Sequence, residues 1–587
     1  MRECGILLPV FSLPSPYGIG AFSREAYAFV DRLKEAGQTY WQILPFGPTG
    51  YGDSPYQAFS AFAGNPFYVD LETLVEERLL TKAECDEVDF GEGDVPAGAL
   101  AGAPGAAAAG GPSAGAGAAL AGAGAALTAV GAGSAGAGVG TAPGPAGPTA
   151  PTARINYEKL YFNRFPLLRK AYARWLKELG HDGAWHAFET QLGQETKDYC
   201  LFMAVKDAFD GKPWSMWDED IKLRRGDALE RYRREWSEDV LFYGFLQLKF
   251  NEQWCKLKAY ANDNGIRIIG DIPIYVAFDS ADAWSHPEMF QFDQSLTPKA
   301  VAGCPPDGFS ATGQLWGNPL YDWGYHKNTG FAWWISRMAY CFSVYDLVRV
   351  DHFRGFDEYY AIPYGDKTAQ YGHWEKGPGI DIFHTMAAHF GNARGDGGGW
   401  AGGDGSNGFC GSERRGGDGA LGSLPIIAED LGFLTDTVLR LLADSGFPGM
   451  KVLEFAFDSR EASDYLPHNY GPNCVVYTGT HDNDTLRGWY EKMAVGDRDF
   501  SKEYMGNART PADEIHWDFI RMALASVATW CIIPMQDYLG LGSEARINEP
   551  STLGRNWQWR MGRGDFTDAL TQKCKRMATI YGRLRTG

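Results

Sequence analysis

The sequence predicts an α/β fold: a (β/α)8 TIM barrel with subdomains inserted between strands, no separate C-terminal β-domain, and two disordered low-complexity inserts. Three observations predict it. Short apolar runs rich in β-branched residues alternate with amphipathic helical stretches, the pattern of a parallel sheet covered by helices. Several of those runs stop at a carboxylate, and strand ends bearing acids converge at the mouth of a closed barrel. An open doubly wound sheet would gather its chemistry at one switch point beside a glycine fingerprint, and the chain shows none.

In chain order, Ser23 to Gly37 predicts a helix with Ala26, Phe29, Val30 and Leu33 on one face, Ser23 as N-cap and Gly37 just past the end. TYWQILPFGP is a strand ending at Pro45 before a Gly/Tyr loop. Val240 to Asn264 aligns Phe242, Leu246, Phe250, Trp254 and Leu257 in a longer helix stopped by Gly265. The acid-ended runs then follow: RIIGDIPIYV with Asp271, DLVRVDHF with Asp351, LPIIAEDLG with Glu429, MKVLEFAFD with Asp458, NCVVYTGTHDND with Asp482 and TWCIIPMQD with Asp537. Thr435 to Ser445, stopped by Gly446, is a further helix. One strand-end Asp is more often an N-cap for the next helix. Four or more, several beside His or Arg, argue for a shared site.

Length alone, 587 residues, suggests about four domains at roughly 150 residues each. The 74 glycines change that estimate, because they are concentrated. Residues 96–153 are almost purely Ala, Gly, Pro, Ser and Thr and offer little apolar surface against the entropy of ordering. Residues 391–422 form a second Gly-rich segment with mixed charges, which reads as a surface loop. Setting both aside leaves residues 1–587 as a single elaborated catalytic domain with two inserts. Neither segment follows a strand with a phosphate-cradling motif.

The net charge of −19 excludes a backbone-tracking nucleic-acid binder, which needs a basic surface. No run of about 18 apolar residues occurs, so no membrane span is expected. The ten cysteines contain no CxxC pair, and free thiols are expected rather than a metal or disulfide framework. MRECGILLPV lacks the regions of a signal peptide, and with the free thiols this makes a cytoplasmic location the expectation.

Arg349 and Asp351 alternate on one strand and therefore face the same way, inward. The guanidinium would keep Asp351 ionised, as a nucleophile requires. Glu429 follows an apolar run that would raise its pKa and hold it protonated as a general acid. Asp482 stands beside His481 as a third carboxylate. No metal-ligand cluster accompanies them, so neither metal nor cofactor is expected. A nucleophile, an acid/base and a charge stabiliser are what glycosidic bond exchange through an oxocarbenium-like transition state requires. The 14% aromatic content suits sugar rings, though most such rings must be core.

Long stretches of the chain resemble one family. They are GILLPVFSLPSPYGIGAF, PTGYGDSPYQAFSAFAGNPFYVDL, YFNRFPLLRKAY, GDIPIYVAFDSADAW, CPPDGFSATGQLWGNPLYDW, VRVDHFRGF, WEKGPG, PIIAEDLG and YTGTHDNDT. Together they resemble glycoside hydrolase family 77, the 4-α-glucanotransferases or amylomaltases, over nearly the whole chain except the two inserts. The resemblance implies Asp351 as nucleophile, Glu429 as general acid/base and Asp482 as transition-state stabiliser. It implies Arg349, His352 and His481 around the glucose ring at the cleavage site. Asp307, Ser310, Gln314 and Trp316 resemble a mobile loop arching over the glucan, and Tyr51, Ser54 and Tyr56 an acceptor-side or second sugar-contacting segment. Asp271 is assigned no chemistry and is taken as structural.

The activity so implied is retaining transfer of α-1,4-glucan segments to the 4-hydroxyl of an acceptor glucan or glucose, with no obligate protein partner. The Asp351 and Glu429 carboxyls are then expected about 5–5.5 Å apart. The alternative is an α-1,4-glucan hydrolase of the α-amylase type, using the same residues with water as acceptor.

Overall fold

Eight parallel strands close into a barrel in the computed structural model, which describes residues 2–50, 52–91, 154–306, 310–392, 421–432, 434–507, 509–552 and 554–585. The insert expected at 96–153 and the predicted site residues Tyr51 and Asp307 lie outside the described residues. Of the segment 391–422 only the ends are described: Gly391 and Asn392 finish the helix Asp381–Asn392, and Leu421 opens a 3-10 turn, Leu421–Ser423.

The twelve strands are β1 Glu3–Leu7, β2 Tyr40–Gln42, β3 Arg267–Pro273, β4 Ala300–Cys304, β5 Gln314–Pro319, β6 Leu347–Asp351, β7 Glu358–Pro363, β8 His373–Lys376, β9 Ile426–Ala428, β10 Gly449–Val452, β11 Cys474–Tyr477 and β12 Trp530–Pro534. The barrel order is β10-β11-β12-β1-β2-β3-β6-β9, every pair parallel. The Ala428 N–H donating to the Pro448 carbonyl at 3.0 Å joins β9 to β10 and closes the circle.

Helix Arg24–Glu35 starts where Ser23 accepts from the Glu25 N–H and buries Ala26, Phe29, Val30 and Leu33. It stops because Gly37 takes φ +67°, a conformation costly for any residue with a Cβ. Helix Ser237–Asp263 buries Leu246, Phe250, Trp254 and Leu257, and Trp254 meets Phe46 edge-on at 4.6 Å beyond the end of β2. Helix Asp436–Ser445 is capped by Thr435 and stopped by Gly446 in the left-handed region. Arg583, fully buried, donates to the Glu3 carbonyl at 2.9 Å and so ties the C-terminal segment to β1.

Two insertions elaborate the barrel. Helices Phe165–Leu179, His181–Gln191, Gln194–Ala208 and Gly226–Glu235 intervene between β2 and β3. An antiparallel sheet, β5-β4-β7-β8, is built from segments before and after β6 and brings the β4–β5 hairpin over the barrel mouth. Past Pro534 the described residues form helices and turns, with no further strand. No described helix is long and apolar enough to cross a membrane. Eight cysteines are free thiols, whereas Cys255 is disulfide-bonded, a difference from the expectation of free thiols throughout.

Candidate active site

Register places the site. Asp271 pairs with Arg349 across β3 and β6, and Val350 pairs with Ala428 across β6 and β9. One residue further along, Asp351 and Glu429 stand side by side at adjacent strand ends, both facing the barrel mouth. The Glu429 N–H donates to the Val350 carbonyl at 3.1 Å, fixing that alignment.

Arg349 is the hub. Its side chain is 3% exposed; Nη1 donates to both Asp271 oxygens at 2.8 and 2.7 Å, and Nη2 to Asp351 Oδ1 at 2.8 Å. Two carboxylates around one buried guanidinium push its pKa well up despite burial. Asp271 is fully buried and also accepts from the Tyr56 hydroxyl at 2.9 Å. Gly270 precedes it because a Cβ there would stand 2.2 Å from the Tyr345 ring. Asp271 thus serves Arg349, as the structural reading expected.

The two central carboxyls differ by what holds them. Glu429 Oε1 accepts from the Leu431 N–H and Oε2 from the His352 N–H, each at 2.7 Å. Burial first, then the Asp351 charge, raise it to about 7 against the opposing pull of Arg349 and those two N–H groups. Asp351 is also pushed up, by burial and then by the negative Asp271 and Asp482, with Arg349 opposing. The sequence reading expected Arg349 to favour the ionised form of Asp351; the guanidinium does pull that way, while burial and the neighbouring carboxylates pull against it. The guanidinium hydrogen-bonds Asp351 and not Glu429, which sets the two carboxyls apart.

His481 and Asp482 follow β11. His481 Nε2 lies 3.2 Å from Asp482 Oδ2. Burial raises the Asp482 carboxyl, but the imidazole charge and hydrogen bond, the Asn548 amide at 2.6 Å and the charge of Arg349 outweigh it and hold the group at about 2. In turn Asp482 holds the His481 pKa up against burial. Tyr56 stacks on His481 with centroids 5.2 Å apart, so it belongs to the wall of this site.

His352 takes φ +56°, which aims its N–H at Glu429 and stands its ring edge-on to Trp316 at 4.8 Å. Burial drops its pKa to about 3, so the ring is neutral, and its Nε2 is buried without a hydrogen-bond partner among the described residues. Trp316 donates to Gln314 Oε1 at 3.1 Å, and Ser310 Oγ donates to the Gly313 carbonyl at 2.7 Å. These two bonds shape the β4–β5 hairpin. Ser54 Oγ accepts from the Tyr56 N–H at 3.3 Å and shapes the turn that presents Tyr56. Asp458, an expected strand-end acid, instead pairs with exposed Arg460. Residue Glu454, nearer the strand, is the buried acid there. Sequence reasoning also missed Asn548 and Arg546, which approach Asp482 from far along the chain with no local signal.

Comparison with known proteins shows the family. The glycoside hydrolase family 77 model, described as 4-alpha-glucanotransferase, matches residues 8–99 and 125–565. The chain belongs to this family. A 4-alpha-glucanotransferase of Clostridium butyricum is 42% identical over 576 residues, covering 98% of this chain and 99% of that protein. One from Thermus thermophilus is 38% identical over 590 residues, with 99% of each covered. The solved structure of the amylomaltase from Streptococcus agalactiae in complex with acarbose superimposes with a TM-score of 0.78 at 36% identity, covering 100% of both chains. The amylomaltase from Corynebacterium glutamicum, at 15% identity and TM-score 0.65 over 98% of this chain and 75% of that one, shares the fold. The protein is thus a retaining 4-alpha-glucanotransferase.

Proposed function

We propose that Asp351 is the nucleophile, Glu429 the general acid/base and Asp482 the transition-state stabiliser of glucan transfer. The observation that carries this assignment is the asymmetry of the adjacent pair: Arg349 grips Asp351 Oδ1 while Glu429 is raised to about 7. Asp351 and Glu429 follow paired residues on neighbouring strands, an arrangement that supports attack by one carboxyl while the other protonates the leaving oxygen. Arg349 occupies Asp351 Oδ1, leaving Oδ2 to attack C1 of the donor. As the C1–O4 bond breaks, Glu429 gives its proton to the departing O4. The ionised Glu429 then takes the proton of an incoming 4-hydroxyl, whose oxygen displaces Asp351 from C1. Two inversions return the α configuration.

The substrates we infer are α-1,4-glucans as donors and a glucan or glucose as acceptor. The Streptococcus agalactiae relative holds acarbose, which supports a glycan-shaped cleft. Asp482, ionised by His481 and Asn548, presents fixed negative charge to the oxocarbenium-like centre. Neutral His352, with Nε2 unpartnered among the described residues, supplies a hydrogen-bonding group for a ring hydroxyl. Ser54, Tyr56, Ser310, Gln314 and Trp316 we assign to walls that hold the glucan, and Tyr51 and Asp307 we assign to glucan contact from the family resemblance alone. The whole chain then serves one catalytic unit, elaborated by its insertions. Incubation with maltotriose should yield glucose together with longer oligosaccharides, and Asp351→Asn should abolish both. Shorter products alone would contradict transfer.

A further inference from the structure

The turn bearing His481 and Asp482 spans Thr478, the first residue past β11, to Leu486, the first residue of helix Leu486–Lys492. Within it, Thr480 N and Oγ1 both donate to Asn483 Oδ1, at 2.9 and 2.8 Å. Asn548 holds its middle, its N–H donating to the His481 carbonyl at 3.1 Å and its side-chain amide to Asp482 Oδ1 at 2.6 Å. The turn's two ends are fixed by one side chain. Asp537, just past β12 and 2% exposed, accepts from Thr478 Oγ1 through Oδ2 at 2.6 Å. Its Oδ1 accepts from the Leu486 N–H at 2.8 Å. The Glu454 N–H adds a 3.2 Å bond to the Thr478 carbonyl, and a Cβ on Gly479 would stand 2.8 Å from Glu454 Oε1. From the other side Arg546 donates to the Asp482 carbonyl at 2.6 Å.

We propose that Asp537 is a positioning residue for Asp482: by clamping both ends of the turn, it sets where the Asp482 carboxylate stands relative to the cleaved bond. The proposal rests on the reading of Asp482 as stabiliser. Asp537 is buried beneath the turn. A carboxylate is suited to the task because its two oxygens accept from two donors in fixed directions, one at each end of the span. A shift of about 1 Å at a group acting only in the transition state can cost on the order of 100-fold in rate, with little change in ground-state binding.

The test is a double-mutant cycle. Wild type, Asp537→Ala, Asp537→Asn and Thr478→Val are compared by kcat and KM for glucose release from maltotriose, with folding checked by thermal melting. Asp537→Ala and Asp482→Ala are also combined and assayed on a 4-nitrophenyl α-glucan donor, whose good leaving group reports residual turnover. We expect Asp537→Ala to lower kcat by roughly 10- to 100-fold with KM within about 3-fold. Thr478→Val, which removes one of the two bonds while keeping side-chain size, should show the same pattern more weakly. In the Asp482→Ala background the further loss from Asp537→Ala should shrink to less than about 2-fold, because the two residues act as a unit. An equal kcat loss in both backgrounds would overturn the proposal, and so would unchanged kcat in both Thr478→Val and Asp537→Asn. Those two variants decide the matter if Asp537→Ala fails to fold. Wild-type kcat in Asp482→Ala alone would instead remove the stabiliser role, and with it anything for Asp537 to position.

Discussion

Replacing Asp351 by Asn separates the two causes that raise the Glu429 carboxyl to about 7, burial and the charge of its neighbour. Two carboxylates about 5 Å apart interact by about 3 kcal/mol at an effective dielectric constant of 20, which is about 2 pK units. Arg349, 2.8 Å from Asp351, cancels part of that charge, so the expected fall in the variant is about one unit. Asparagine keeps the size of the side chain and an oxygen for Arg349, leaving burial nearly unchanged. The assay is a 13C NMR titration of labelled glutamate carboxyls in wild type and variant. Wild type should titrate near pH 7 at Glu429 and the variant about one unit lower. An unchanged value would refute the coupling and leave burial as sole cause. In the same frame, wild-type transfer should fall as pH rises through about 7, because Glu429 then reaches the glycosidic oxygen without a proton.

Glu429→Gln should lower kcat for maltotriose by roughly 100- to 10,000-fold and cost far less in the first step on a donor with a 4-nitrophenol leaving group, which needs no proton; steady-state and burst kinetics distinguish the two. Arg349→Met leaves fully buried Asp271 and its neighbour Asp351 without their cation, and urea unfolding should show a loss of about 3–5 kcal/mol. Trp316→Ala should raise KM for maltotriose more than it lowers kcat, if the β4–β5 hairpin holds glucan; a pure kcat effect would place Trp316 elsewhere in the reaction. Asp537, raised to about 7 by burial, binds its proton more tightly folded than unfolded. Its contribution to stability is therefore complete below the ordinary carboxyl pKa near 4 and lost as pH rises through about 7, on the order of 4 kcal/mol. Thermal midpoints from pH 4 to 8 should fall less steeply in Asp537→Asn than in wild type.

Most of the barrel was legible because it rests on local patterns. The Ser23 cap, the Gly37 and Gly446 stops and the apolar faces between them are each set by a few neighbouring residues. Strand-end acids were legible for the same reason, since a barrel turns distance in sequence into neighbours at one mouth. Asp458 was misplaced because β10 ends early, at Val452, and a 3-10 turn follows. That shift put Glu454 rather than Asp458 beneath the site. Tyr56 was read as part of an acceptor-side or second sugar-contacting segment, and its hydroxyl and ring close on Asp271 and His481. No spacing in the chain announces that meeting.

The sequence by itself determined the alternation of elements, the strand-end position of Asp351 and Glu429, and the family to which these motifs point. Those properties follow from periodicity, caps and side-chain chemistry, which are written within a turn or two of chain. Only the tertiary structure decided how the charges are shared. Arg349 serves Asp271 as fully as Asp351, Asn548 and Arg546 hold Asp482 from a distant loop, and Asp537 pins the turn between. Proton affinity depends on burial and on distances of a few ångströms between segments hundreds of residues apart, and those distances exist only once the barrel has closed.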